Sequence, residues 1–342
     1  MEKVLIIGPV FYGYTESVAR GFGKNGFEVK SIVWGKENDA DNLAEMIRLK
    51  LSGSREAFFK KKEDAFNAKL RAEYDSFRPA TVVIIRGGAV QRDTLQFMKK
   101  SKLVLWMMDS IFSVQKTCVN VELYDHVFLF EKEDIPKLEK EYGVKGHFLA
   151  LALDEDIYFP VKTTDKPIDI LFVGALYPNR VELLNRLIQR FPGKNIRIYG
   201  FYFSVIRNIP RYFFRKDKKY YLNKTVQPAE LNQLYSQTKI CLNIHHRQSM
   251  YGVNQRFFEV SGARGFQICD RHGFIEDNFT PEEAIIYDNE EELFAIMENY
   301  FSSPAAYESG IESAHRKVLA QHTFSQRAKY IMEIAGMKLS PA

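Results

Sequence analysis

Arg256 and Glu259 lie three residues apart in the segment Asn254-Gln255-Arg256-Phe257-Phe258-Glu259. On a helix that spacing puts both on one face. Asn254 reads as the N-cap and Gly265 as the C-terminal stop. The free amides and dipole of a helix N-terminus attract phosphate. A guanidinium adds a fork of donors for a diphosphate. The Glu259 carboxylate adds two acceptors, which suit the paired hydroxyls of a ribose. A cation for phosphate beside a carboxylate for sugar is what a nucleoside diphosphate needs. An exposed surface ion pair is the ordinary alternative.

Other candidates stand where apolar runs end. Gly174 closes one such run and lets a backbone approach a diphosphate closely. Arg180, six residues on, starts the next helix and could clamp the same group. Tyr199, Gly200, His245 and His246 also follow or end apolar runs and are candidate nucleotide contacts. Asp109 ends another and is the candidate general base, with a turn-capping role as its alternative. The loop Gly8-Pro9-Val10-Phe11-Tyr12-Gly13-Tyr14 lacks G-x-G-x-x-G, which argues against a dinucleotide site. Its Tyr12 and Tyr14, with Arg86, are candidate acceptor contacts, since aromatic rings stack on sugars. His126 falls at the start of a run, away from these groups. Without a clear D-x-D pair between strands, the chemistry reads as metal-independent and no metal site is expected.

These residues need a scaffold of alternating strands and helices. Val4–Ile7, Phe27–Val33, Thr81–Ile85, Leu103–Met107, His126–Phe130 and Phe148–Leu151 read as strands. Thr15 is positioned to cap the first helix and Gly26 to stop it. Residues 40–77 and about 91–101 read as helices. Asp154–Lys166 reads as a linker. A second series follows, with strands at Ile168–Val173, Asn195–Tyr199, Lys239–Ile244, Phe266–Cys269 and Ala284–Tyr287. Helices are expected over Asn179–Phe191 and about 254–264, and through most of the last sixty residues. Apolar strands alternating with helices predict parallel sheets covered on both faces. The fold class is therefore α/β, with two Rossmann-like domains whose sheets face across a cleft. The expected division is 1–158, 159–322, and a C-terminal helix in 323–342 packing back toward the first domain. Ligands of such sheets bind beyond the C-terminal strand ends, where the candidates cluster.

Composition narrows the function. The chain has 342 residues, enough for two domains with their own cores. Its net charge of +5 suits a phosphate-bearing partner and is too small to argue for nucleic acid. Cys118, Cys241 and Cys269 show no paired spacing, as expected of a reducing compartment. No run approaches the roughly 18 apolar residues of a membrane span, and no leader is apparent. The expected location is the cytoplasm, at the inner face of the membrane. Residues 201–222 mix aromatics such as Phe201, Tyr212 and Phe213 with Arg207, Arg211 and Lys218, a composition suited to peripheral membrane contact or a lipid-linked acceptor. The basic stretch Arg55–Arg71 reads as a solvated face.

The segment Asn254, Arg256, Phe258, Glu259, Gly262, Gly265 and then Asp270 resembles the signature of the CgeB-like (spore maturation protein) glycosyltransferases, a GT-B group. Phe172-Val173-Gly174-Ala175-Leu176-Tyr177-Pro178-Asn179-Arg180, Ile198-Tyr199-Gly200 and Lys239–Ile244 also resemble that group. So do Trp106-Met107-Met108-Asp109-Ser110, Tyr142-Gly143-Val144 and Leu149-Ala150-Leu151 in the first half. The resemblance implies a nucleotide-sugar donor on the C-terminal domain and a glycan or lipid-linked acceptor on the N-terminal one. Chemistry would occur in the cleft, in surface glycan or glycoconjugate synthesis, with a UDP-sugar the favoured donor and no cofactor. Tyr251 stands where many relatives carry a second glutamate, which leaves the stereochemistry open. The rival readings are a GT-B nucleotide-sugar epimerase and a non-catalytic nucleotide- or sugar-binding assembly protein.

Overall fold

Val4, Leu5, Ile6 and Ile7 are all fully buried, so the first strand is covered on both faces. That burial distinguishes a central parallel strand from a half-solvated antiparallel one. In the computed structural model, residues 1–11, 13–35, 55–163, 165–201, 218–245 and 249–337 are described. The chain divides into two units, Met1–Leu151 with Phe324–Ala342, and Ala152–Thr323.

The first unit runs β1 (Lys3–Pro9), α1 (Tyr14–Lys24), β2 (Glu28–Trp34), α2 (Arg55–Phe77), β3 (Thr81–Ile85), α3 (Arg92–Phe97), β4 (Lys102–Trp106), α4 (Gln115–Cys118), β5 (His126–Leu129), α5 (Asp134–Tyr142) and β6 (Gly146–Phe148). Its six strands are parallel in the order β2-β1-β3-β4-β5-β6. The second unit runs β7 (Ile168–Val173), α6 (Pro178–Arg190), β8 (Ile196–Tyr199), α7 (Pro228–Ser236), β9 (Thr238–Asn243), α8 (Gln255–Gly262), β10 (Gln267–Asp270), α9 (Gly273–Asn278), β11 (Ile285–Tyr287), α10 (Glu290–Ser302) and α11 (Glu308–Gln321). Its five parallel strands are ordered β11-β10-β9-β7-β8. Each sheet winds outward from its first strand in both directions. The winding therefore reverses between β1 and β3, and between β7 and β9. Such reversal points open a crevice at the C-terminal strand ends.

The chain enters and leaves the second unit at adjacent points. Leu153 donates its N–H to the His322 carbonyl at 2.7 Å and bridges Thr323. The last helix, α12 (Phe324–Ile334), returns to the first unit and packs along α1. Phe324 meets Trp106 edge to face, and Asn25 donates to the Ser325 carbonyl at 2.9 Å. Arg327 is partly buried there and donates to the carbonyls of Ala150 and Leu151. The two sheet cores are built from aliphatic and aromatic residues of the strands and of the helices over them.

Three local expectations need correction. Thr15 does not cap α1: Gly13, in the left-handed region at φ 77°, holds that position. The Thr15 hydroxyl instead donates to the Pro9 carbonyl at 2.8 Å, tying the helix to the end of β1. Gly265 is not the left-handed stop of α8; Arg264 is, at φ 57°. The Gly265 N–H returns to the Val260 carbonyl, and that of Arg264 to Ser261, the bond pair of a Schellman turn. The sixth strand covers Gly146–Phe148 rather than Phe148–Leu151, ending where its ladder with β5 ends. Of the helix expected over 40–77, residues 40–54 lie outside the described residues.

Candidate functional site

The crevice between β7 and β9 in the second unit gathers most of the candidates. Gly174 ends β7 and donates its N–H to the Tyr199 carbonyl at 3.0 Å. Gly200 sits at φ 147°, and a Cβ there would lie 2.0 Å from the Gly174 carbonyl oxygen. The backbones after β7 and β8 can meet this closely only because one residue has no side chain. Tyr199 itself points into the core, 3% exposed, so only its backbone serves the crevice.

Arg180, in the first turn of α6, is buried and spans the reversal point. It donates to the Ala175 carbonyl beyond β7 at 2.9 Å and to the Ile244 carbonyl beyond β9 at 2.7 Å. Its Nε has no hydrogen-bond partner among the described residues. Burial, with Arg256 beside it, pulls the guanidinium down to about 10, so it stays charged at neutral pH. Two of its donors thus brace the loops, a role the sequence did not indicate.

Arg256 occupies the first turn of α8 and is half-buried. Among the described residues it makes no hydrogen bond or ion pair. A Cβ placed on Gly174 would lie 3.5 Å from its Nη2, so the guanidinium overlies the glycine. Asn254 takes the N-cap position of α8 with extended backbone, but its side chain does not cap. It donates instead to Asn243 Oδ1 at 2.7 Å, tying the helix start to the end of β9. The first amides of α8 thus face the crevice without a capping oxygen, beside a guanidinium that has no carboxylate. Two neighbouring arginines with no ion pair among the described residues form an anion-seeking arrangement.

Glu259 lies one turn further along α8 and is 1% exposed. Tyr235 donates its hydroxyl to Glu259 Oε2 at 3.1 Å. His245 follows β9 and is buried. Its backbone N–H and its ring Nδ1 both meet the Asp270 carboxylate, Nδ1 at 2.6 Å. Burial lowers the imidazole to about 4, against the pull of Asp270. His272 packs on His245 with ring centroids 4.1 Å apart. His272 was not singled out in the sequence; its place just after Asp270, at the end of a buried strand, was the available signal. Tyr251 bonds Asp277 at 2.8 Å and its ring lies against Gly273.

In the first unit, Asp109 follows β4 and is largely exposed. It pairs with Arg86 Nε at 3.3 Å. Arg86 is a non-glycine residue at φ 67°, held there as its N–H reaches the Trp106 carbonyl and its own carbonyl accepts from Thr117. The Arg86 guanidinium lies 5.8 Å from the Phe11 ring. A cavity of about 390 Å³ beside it is lined by Trp34, Phe59, Glu63, Phe66, Arg86 and Lys116. Tyr14 begins α1 and is partly exposed. Tyr12, His246 and residues 202–217 of the basic aromatic segment lie outside the described residues. Among the described residues, no helix is long and apolar enough to cross a membrane.

Comparison with known proteins agrees with this fold. Residues 180–333 match the glycosyl transferase-like family, somewhat under half of the chain. No curated protein matches the chain in sequence. Among solved structures, sucrose-phosphate synthase from Thermosynechococcus elongatus is similar at a TM-score of 0.68 and 11% identity, over 98% of each chain. The Anabaena protein HepE, solved with UDP-glucose, is similar at 0.66 and 10% identity, over 99% of this chain and 100% of that one. A UDP-N-acetylglucosamine 2-epimerase is similar at 0.57 and 9% identity, over 100% and 98%. At such identities the likeness speaks to the fold: the chain has the two-Rossmann GT-B fold.

Proposed function

We propose that the chain is a glycosyltransferase that moves a sugar from a nucleoside diphosphate sugar to an acceptor hydroxyl. The observation that carries this reading is Arg256. Unpaired among the described residues, it stands at the start of α8, over Gly174 and beside Arg180, where two strand ends part. A leaving diphosphate develops negative charge there, and fixed cations and helix amides stabilise it without reorganising. With that charge met by Arg256, Arg180 and the α8 amides, transfer needs no divalent ion bridging the diphosphate. Glu259 is assigned to the ribose, one turn beyond Arg256 on α8. Asp109 is assigned as the base toward the acceptor. The acceptor is assigned to the aromatic-walled cavity of the first unit, with Arg86 and Tyr14 at its contacts.

The finer assignment, a CgeB-like enzyme of surface glycan or glycoconjugate synthesis using a UDP-sugar and a glycan or lipid-linked acceptor, rests on the motif at 254–270 and on the HepE complex with UDP-glucose. A cytoplasmic enzyme at the inner membrane face is part of the same proposal. The epimerase alternative has a structural neighbour of its own and differs in needing no acceptor.

Thermal unfolding with UDP, GDP, CDP, dTDP and ADP, without added metal, tests the donor site. One nucleotide at a hundred times its dissociation constant should stabilise the protein by about 2.7 kcal/mol. Arg256→Ala should lose most of that gain. No stabilisation by any of the five at millimolar concentration overturns the reading. Product analysis with and without acceptor then separates transfer from epimerisation.

A further inference from the structure

The cluster around His245 has unmet chemistry that the diphosphate does not use. His245 Nδ1 lies 2.6 Å from Asp270 Oδ1, so its proton sits on that side of the ring. His272 Nε2 lies 2.9 Å from the Ser249 carbonyl, which only accepts, so Nε2 carries the His272 proton. The remaining nitrogens, His245 Nε2 and His272 Nδ1, are buried and have no hydrogen-bond partner among the described residues. In neutral rings both are lone pairs, not donors. The two histidines are 2% and 6% exposed, so bulk water does not readily satisfy them. A buried pair of neutral imidazole lone pairs rejects an anion and attracts a Lewis acid.

We propose that His245, Asp270 and His272 form a binding site for one divalent transition-metal ion. One ligating atom from each of the three lies within 4.8 Å of the others. Adjacent ligands on a tetrahedral ion with bonds of about 2.0–2.1 Å stand about 3.4 Å apart, so the three atoms must draw together and Asp270 must exchange its bond to His245 Nδ1 for the ion. Two imidazoles and a carboxylate suit zinc, cobalt or nickel and not the hard ions magnesium and calcium. The neighbouring Arg180 and Arg256 oppose a dication, and the Asp270 carboxylate offsets them. The ligands come from the end of β9, the end of β10 and the residue before α9. The ion would therefore tie three loops of the crevice together. It is a structural ion and not a bridge to the diphosphate, so the site stands apart from the proposed transfer reaction.

Cobalt(II) titration of the full chain, read by visible absorption, tests this without an activity assay. The expected result is one equivalent bound with d–d bands between about 500 and 650 nm, bleached by one equivalent of zinc but not by magnesium. His272→Gln and His245→Gln should each weaken binding at least tenfold. The shape of the melting curve confirms that each variant is folded. If one variant does not fold, the other decides, and zinc should raise the melting temperature of the wild-type protein in either case. Absence of bands in the wild type overturns the proposal. So does undiminished binding in a folded variant, which would put the ion elsewhere.

Discussion

A Cβ on Gly200 would stand 2.0 Å from the carbonyl oxygen of Gly174, closer than any side chain tolerates. Gly200 also lies at φ 147°, outside the range most residues adopt. Gly200→Ala should therefore destabilise the protein by about 1–3 kcal/mol. It should also push the loop after β7 away from Arg256 and abolish the nucleotide-induced rise in melting temperature. Parallel melts with and without the preferred nucleotide check both effects.

Arg180 holds two carbonyls, of Ala175 and Ile244, with one rigid fork. A lysine ammonium is a point donor and cannot reproduce the fork. Arg180→Lys should lose about 1.5–3 kcal/mol in urea unfolding, the scale of a charge-assisted hydrogen bond. Arg180→Met should lose more, because both carbonyls are left without this donor. A lysine variant as stable as wild type would refute the bracing role.

Asp109 tests the acceptor side separately from the donor side. If it takes the acceptor proton, Asp109→Asn should lower kcat by about 10²–10⁴. Nucleotide-induced stabilisation should persist, since the residues assigned to the nucleotide all belong to the second unit. Unchanged turnover would leave Asp109 only its ion pair with Arg86.

Glu283 gives the second unit an acid-sensitive joint. Lys317 donates to it at 2.6 Å, the Thr280 amide at 3.0 Å and the Ser313 hydroxyl at 2.8 Å. Burial pushes the carboxyl up, but Lys317, the Thr280 amide and Ser313 together outweigh it and hold it below its ordinary value. A folded value below the unfolded one stabilises above the unfolded pKa and is lost as pH falls through the folded one. Glu283→Gln should melt below wild type at pH 7. The gap should close as pH drops below about 4, where the unfolded carboxyl titrates. A gap that persists at pH 3 would assign the effect to packing.

The strands were readable because buried parallel strands are short apolar runs cut off by glycine or a polar residue. Thr81–Ile85 and Ile168–Val173 show this at both ends. Helix termini were less readable. Thr15 has the chemistry of a cap, yet a left-handed Gly13 starts the helix and frees the hydroxyl for Pro9. Arg264 takes the left-handed position that Gly265 was expected to fill, and a Cβ on Gly265 would press against Val260. The charges of the candidate site were visible as residue types. Their partners were not, because partners depend on strand order. Arg180 braces Ile244, 64 residues away, and Arg256 makes no hydrogen bond or ion pair among the described residues. The His245–Asp270 pair likewise depends on β9 and β10 being neighbours.

The return of α12 to the first unit has a consequence for biosynthesis. Residues 152–323 are contiguous and can fold as they leave the ribosome, whereas the first unit waits for its final helix. At roughly 5–20 residues per second, that wait lasts on the order of ten to thirty seconds. Throughout it, the nascent chain exposes the α1 surface and the Trp106 ring that Phe324 later meets. Translation thus leaves the amino-terminal half unfinished and sticky until α12 has emerged, a window in which a holding chaperone would matter most.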